Sequence, residues 1–144
     1  MPKPVPLTHG FLGTMDYAAS IPMPPGRSSA FFNDLVSDDP NPKDLVLSST
    51  PYFHLMGLVS FFESIFHNIP FVASPERLLS VGFLTDLIRH TKPTVTILPP
   101  SILEDMSYSE EALTCLSTLK FVCYGGAPLS PEVGEKLGRY TQLR

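Results

Sequence analysis

One segment of the sequence has two adjacent glycines at a position where the backbone could come close to a bound ligand. Gly125–Pro128 reads Gly-Gly-Ala-Pro, follows the apolar run 119–124 and precedes Ser130, a predicted helix cap. A buried strand that runs into two glycines lets the backbone approach a ligand and offers free N–H groups to its acceptor atoms. The alternative is that the glycines only permit a tight turn between strand and helix. The spacing is not the GxGxxG dinucleotide fingerprint.

A second segment, 52–57, reads Tyr-Phe-His-Leu-Met-Gly and follows a predicted strand at 45–48. His54 lies there beside an aromatic residue and just before a predicted helix, so it is a candidate to line a pocket. The alternative is a core histidine that is hydrogen-bonded among apolar neighbours. The remaining histidines lack the paired spacing of a metal site, and we assign no metal ligand to any side chain: they are His9, His67 and His90.

Familiar nucleotide and hydrolase signatures do not occur in the sequence. It contains neither the GxxxxGK[ST] phosphate loop nor the GxSxG elbow. Lys3, which lies between two prolines, reads on its own as a solvated lysine. Chemistry must therefore be inferred from the two loops and from the elements that position them.

Hydrophobic periodicity, caps and proline breaks predict alternating strands and helices after a first helix capped by Thr8. We divide the chain into 1–43, a helix with a Pro-rich connection that includes Phe31 and Phe32, and 44–144, the alternating unit. The predicted strands are 45–48, 71–73, 94–98 and 119–124, with helices at about 57–68, from Ser80 to Pro93, within 101–116, and from Ser130 to about Tyr140. This pattern predicts an α/β fold with a parallel sheet flanked by helices, whose ligands bind at the carboxyl ends of the strands.

Composition narrows the class of protein. The 144 residues include 43% hydrophobic and 17% charged residues, which is typical of a globular domain, and the net charge of −4 argues against a nucleic-acid partner. Two cysteines form no disulfide framework, so we expect a reducing, cytoplasmic setting. The most apolar stretch, 55–72, contains Glu63, His67 and Pro70, and we expect neither a membrane span nor an export signal.

Taken in order, three motifs resemble the adenylate-forming (AMP-dependent synthetase and ligase) superfamily. They are Pro2-Lys3-Pro4 through Thr8-His9-Gly10, the segment 52–57, and Tyr124 through Ser130. The superfamily includes acyl-CoA synthetases, luciferases and adenylation domains of nonribosomal peptide synthetases. The opening Pro-Lys-Pro-Val-Pro-Leu-Thr-His is most similar to fungal synthetase-like and aminoadipate-reductase-like adenylation domains. The resemblance implies a partial three-layer domain, an incomplete fragment of the large N-terminal domain of such an enzyme.

The resemblance also implies roles for particular residues. Lys3 corresponds to the end of the family's phosphate loop, although Pro4 stands where that loop has a glycine. The acyl-pocket candidates are Phe53, His54, Gly57 and Gly125. The candidates for binding adenine and the adenylate are Gly125, Gly126, Ala127 and Pro128.

The family reaction joins a carboxylic acid to ATP with Mg²⁺, releases pyrophosphate, and transfers the acyl group from acyl-AMP to coenzyme A or a phosphopantetheine carrier. We expect a partial domain to be inactive alone, because groups that position the phosphates belong to motifs outside 1–144. ATP or AMP and a carboxylic acid are the implied partners, with a carrier-protein domain in a longer parent. Two alternatives stay open: a pseudoenzyme that binds nucleotide or acyl ligands without turnover, and an α/β interaction domain that uses exposed sheet edges.

Overall fold

The computed structural model describes residues 4–22, 24–27, 35, 43–74 and 79–144. Lys3 and the predicted apolar patch at Phe31 and Phe32 lie outside these residues. The helices are α1 (His9–Ser20), α2 (Leu55–Phe66), α3 (Val81–Thr91), α4 (Pro100–Ser107), α5 (Glu110–Leu116) and α6 (Pro131–Leu137). The strands are β1 (Val46–Ser48), β2 (Phe71–Ala73), β3 (Val95–Leu98) and β4 (Phe121–Tyr124).

The described strands form one parallel sheet in the order β2-β1-β3-β4. Leu47 of β1 pairs with Val72 on one side and Thr96 on the other. The chain therefore moves outward from β1 to β2, crosses back over β1 to β3, and continues in the opposite direction to β4. The predicted α/β parallel sheet is confirmed, and the reversal lies between β1 and β3.

Alternating side chains of the sheet enter two apolar clusters on opposite faces, as expected for a parallel sheet that is covered on both sides. Leu47, Leu98 and Val122 join residues of α3, α4, α5 and α6 in the larger cluster. The smaller cluster contains a second set of strand residues, against which Met56 of α2 packs: Val46, Val95, Ile97, Phe121 and Cys123. Helix α1 contacts the outer side of α2. The result is a helix, sheet and helix arrangement in three layers.

The local signals placed most helix starts correctly. The hydroxyls of Thr8, Ser80 and Ser130 each accept a backbone N–H three residues later, at 3.3, 3.3 and 3.4 Å. Helix α2, however, begins at Leu55 rather than near Gly57, because the Pro51 turn directs the chain into the helix one half-turn earlier. Helix α6 ends at Leu137 instead of Tyr140.

The last residues of the chain extend the sheet, which the sequence analysis did not predict. The Val122 N–H donates to the Gln142 carbonyl and the Arg144 N–H donates to the Val122 carbonyl, at 2.8 and 2.9 Å. The Arg144 guanidinium lies 4.0 Å from the centre of the Phe121 ring. No helix in the described ranges is both long enough and apolar enough to cross a bilayer.

The buried thiol of Cys123 predicts a loss of stability in alkaline solution. Burial raises the pKa of this thiol from 9.0 to about 11, against a smaller opposing effect of the Arg144 charge. Because the unfolded chain ionises first, the free energy of unfolding should fall by about 2–3 kcal/mol between pH 9 and pH 11. Urea unfolding across this range should show that decrease, and Cys123→Ala should remove that part of it. An unchanged pH slope in the variant would contradict the assignment.

Candidate functional site

A cavity of about 480 Å³ opens at the carboxyl end of the sheet, where the strand order reverses. Thr50 and Pro51 follow β1, Pro99 follows β3, and Gly125 and Gly126 follow β4, and all of them line it. Helix α2 follows β1 and packs on one face of the sheet, whereas α4 follows β3 and packs on the other, so the loops after β1 and β3 diverge. This divergence is the physical reason why open α/β sheets hold ligands at such a point.

His54 reaches the cavity because of the turn that precedes it. Its backbone N–H donates to the Pro51 carbonyl at 2.9 Å, and its extended backbone makes it the N-cap of α2. The imidazole does not cap the helix and is exposed at the cavity wall, with its ring centre 4.8 Å from that of Phe53. The alternative of a buried core histidine is therefore wrong.

Gly57 holds the loop against the helix and does not line either cavity described here. A Cβ atom at this position would lie 2.3 Å from the Pro51 carbonyl oxygen and 2.5 Å from that of Thr50. Both are backbone atoms, so a side chain could fit only if the loop moved. Gly57 thereby sets the position of the loop that carries His54.

The glycine loop after β4 contributes its first half to the cavity. Gly125 and Gly126 line it, whereas Ala127 and Pro128 are exposed outside the lining. Gly126 has a φ of 93°, a backbone conformation that favours glycine over other residues. Glycine is required at this position by the backbone conformation and not by crowding, because a Cβ atom on Gly126 would have no neighbour within 4 Å.

Phe53 points away from this cavity. Its side chain is 83% exposed and lines a second apolar cavity of about 760 Å³, between the N-terminal segment and the starts of α1 and α2. His54 borders both cavities. The structure therefore brings His54, Gly125 and Gly126 together and places Phe53 on the other side of His54.

Sequence reasoning missed the apolar floor of the cavity, which consists of Met56, Leu79, Ile97 and Leu98. The strand-end rule could have indicated Ile97 and Leu98, since they end β3, the neighbour of β1. Met56 gave no such signal: its sulfur and terminal methyl lie 3.7 and 3.6 Å from the Cβ position of Gly125, which is 69 residues away in the sequence.

Two ionisable groups near this region have shifted pKa values. Burial raises the pKa of Tyr52, whose ring packs edge-on against Phe61 with 5.4 Å between centroids. Burial also raises the pKa of Glu63 on α2, while the charge of His67, 3.1 Å away, opposes that shift. Within the described part of the chain, no three His, Cys, Asp or Glu side chains gather into a cluster that could hold a metal ion.

Comparison with known proteins identifies the family. The family description AMP-binding enzyme matches residues 1–143, and the chain belongs to this family of adenylate-forming enzymes. A carboxylic acid reductase of Neurospora crassa is 32% identical over 138 residues, and the adenylate-forming reductase stbB of Stachybotrys bisbyi is 32% identical over 139 residues. These alignments cover 94% and 95% of this chain, but the chain spans only 13% and 12% of those fungal relatives.

Solved structures agree on the fold. Unliganded o-succinylbenzoate coenzyme A synthetase (MenE) from Bacillus subtilis matches with a TM-score of 0.66 at 18% identity, covering 89% of this chain and 25% of that chain. The same enzyme in complex with ATP and magnesium ion gives a TM-score of 0.67 at 18% identity, covering 89% and 24%. The predicted family and fold class are confirmed, and the sheet corresponds to part of an adenylate-forming enzyme.

Gly57 offers a test of how the His54 loop is held. Gly57→Ala should lower the free energy of unfolding by about 2–3 kcal/mol, because the added methyl group collides with two backbone carbonyls. Gly82→Ala is the matched control: it lies within α3 with no atom within 4 Å of the new methyl, and it should raise stability by about 0.5–1 kcal/mol. Equal urea midpoints for the two variants would contradict this close packing.

Proposed function

We propose that the chain forms the acyl- and adenine-facing side of the site of an AMP-forming, carboxylate-activating ligase. The observation that carries the proposal is the cavity at the reversal of the sheet, which collects His54, Gly125 and Gly126 in a chain of the AMP-binding enzyme family. In the proposed reaction a carboxylate oxygen attacks the α-phosphorus of ATP. The bond between the α-phosphorus and the oxygen that bridges the α- and β-phosphates breaks. Pyrophosphate leaves with that oxygen, and acyl-AMP remains.

The residue roles follow from position. His54 borders the acyl end of the adenylate and donates or accepts a hydrogen bond at the cavity mouth, where it is accessible. Gly125 and Gly126 bring backbone close to the adenylate, with the exposed Ala127 and Pro128 continuing toward adenine. We retain Gly57 as the support of the loop, Phe53 as a residue of the outer wall beyond His54, and Lys3 as a phosphate contact.

Mg²⁺ enters this proposal only as the companion of ATP, where it would offset the negative charge that develops on the phosphates. The residues assigned here bind and orient the acid and the adenylate, and they exclude water from the acyl carbon. Activation by orientation is effective because it removes the entropy cost of bringing acid and nucleotide together.

The acceptor of the acyl group completes the proposal. A thiol sulfur attacks the acyl carbon and AMP leaves, so that the acid ends as a thioester of coenzyme A or of a phosphopantetheine on a carrier-protein domain. The relative named isocyanide synthase-NRPS hybrid crmA, from Aspergillus fumigatus, is 30% identical over 147 residues and supports a multidomain parent; the chain spans 9% of it. Cys115 and Cys123 are both buried and neither forms a disulfide, which supports the proposed cytoplasmic setting.

Nucleotide binding and turnover test the proposal separately. Calorimetry with AMP should detect binding by the chain, and Gly126→Ala should weaken it about tenfold because alanine disfavours the φ of 93° that shapes the loop. Gly82→Ala in α3 should leave AMP binding unchanged. Pyrophosphate release with ATP, Mg²⁺ and a panel of aryl and aliphatic acids then measures turnover.

The outcomes discriminate among the candidate functions. Binding with pyrophosphate release supports a ligase that acts within this chain. Binding without release supports a site that needs the rest of a ligase, or a pseudoenzyme that retains only binding. No AMP binding at millimolar concentration would overturn the proposal and favour the interaction domain.

A further inference from the structure

The floor of the cavity consists of apolar side chains. Met56 comes from α2, Ile97 and Leu98 end β3, and Leu79 precedes α3. Ile97 and Leu98 are 2% and 1% exposed, so they are held by the two apolar clusters and cannot turn to admit water. The polar side chains of the lining, Thr50 and His54, lie on the loop after β1, at the mouth.

Met56 and Gly125 meet across this floor. The sulfur and terminal methyl of Met56 lie within van der Waals distance of the Gly125 Cβ position. Gly125 is outside the positive-φ region, so its backbone accepts a side chain. Met56 is unbranched and can change rotamer, whereas Ile97 and Leu98 are fixed within the sheet. The space available to a ligand is therefore set by how far Met56 extends toward Gly125.

We propose that this cavity selects carboxylic acids with an uncharged, apolar carbon skeleton, and that Met56 against Gly125 determines the length of skeleton that fits. This inference rests on the proposed function, since it places the acyl group of the adenylate on the same floor. The carboxylate lies at the polar mouth near His54, where it stays hydrated or hydrogen-bonded. The remainder of the acid replaces water against Met56, Leu79 and Ile97, which is favourable for hydrocarbon.

A charged substituent on the skeleton opposes this arrangement. An ammonium group placed against an apolar floor loses hydration without gaining a hydrogen-bond partner. An acid with an ammonium group at the end of its skeleton remote from the carboxylate should therefore bind less tightly than the corresponding acid without that group. The two compounds 3-(4-methylphenyl)propanoate and 3-[4-(ammoniomethyl)phenyl]propanoate differ only by that group, which makes them a matched pair of probes.

The first experiment compares these two probes by calorimetry on the 144-residue chain, with AMP titrated into the same preparation. The expected result is that 3-(4-methylphenyl)propanoate binds at least about tenfold more tightly than 3-[4-(ammoniomethyl)phenyl]propanoate. Equal affinity for the two probes, or no binding of 3-(4-methylphenyl)propanoate at about 10 mM, would overturn the inference. AMP binding with equal acid affinities would sink this inference alone, whereas acid selectivity without AMP binding would sink the proposed function and leave the apolar site standing.

The second experiment tests the length of skeleton. Met56→Ala should shift the preference by about tenfold toward 3-(4-tert-butylphenyl)propanoate over 3-phenylpropanoate, because it deepens the cavity. Gly125→Ala should shift it the other way, since its methyl fills the space beside Met56. Met56→Leu retains the volume and should retain the original preference. Met15→Ala, a truncation within α1, controls for a general loss of stability. An unchanged preference in both Met56→Ala and Gly125→Ala would overturn the role of this pair.

Discussion

The arrangement of this molecule depends on the placement of β1 inside a parallel sheet. Backbone hydrogen bonds join β1 to β2 on one side and to β3 on the other, so both of its faces must be covered by helices. One face is covered by α2 before the chain crosses back, and the other by α3 and the helices that follow. Because α2 follows β1 on one face and α4 follows β3 on the other, these two connections diverge and leave the opening above β1 and β3 in which the candidate site lies.

Close backbone approach then gives the opening its shape. Gly57 allows α2 to start directly against the carbonyls of Thr50 and Pro51, which brings His54 to the mouth and Met56 to the floor. Gly126 turns the chain sharply at the end of β4 with a positive φ, so that Gly125 faces Met56. These two glycines have different reasons for being glycine. The first lacks space for a side chain, and the second needs an unusual backbone conformation.

The site combines a rigid apolar floor with an exposed polar mouth, and this division suits a ligand with a hydrocarbon end and a charged end. Strand residues such as Ile97 are buried in the core, whereas the His54 imidazole makes no hydrogen bond that caps α2 and is accessible. Under the proposed function for this member of the AMP-binding enzyme family, that ligand is a carboxylic acid that becomes an acyl adenylate. The chain itself spans about an eighth of the length of its fungal reductase relatives.

Local sequence determined much of this protein. The caps at Ser80 and Ser130, the last strand, predicted at 119–124 and observed at 121–124, and the glycine turn after it follow from short-range steric and hydrogen-bonding preferences. Motif order likewise identified the family and the loops that carry His54 and Gly125. Only the tertiary structure decided that Phe53 lines only the second cavity whereas His54 borders both, that Gly57 supports a loop, and that Met56 meets Gly125. The physical reason is that strand order and the helix crossing bring together residues far apart in the chain. The local sequence around Met56 and the local sequence around Gly125 therefore do not specify that these two residues come into contact.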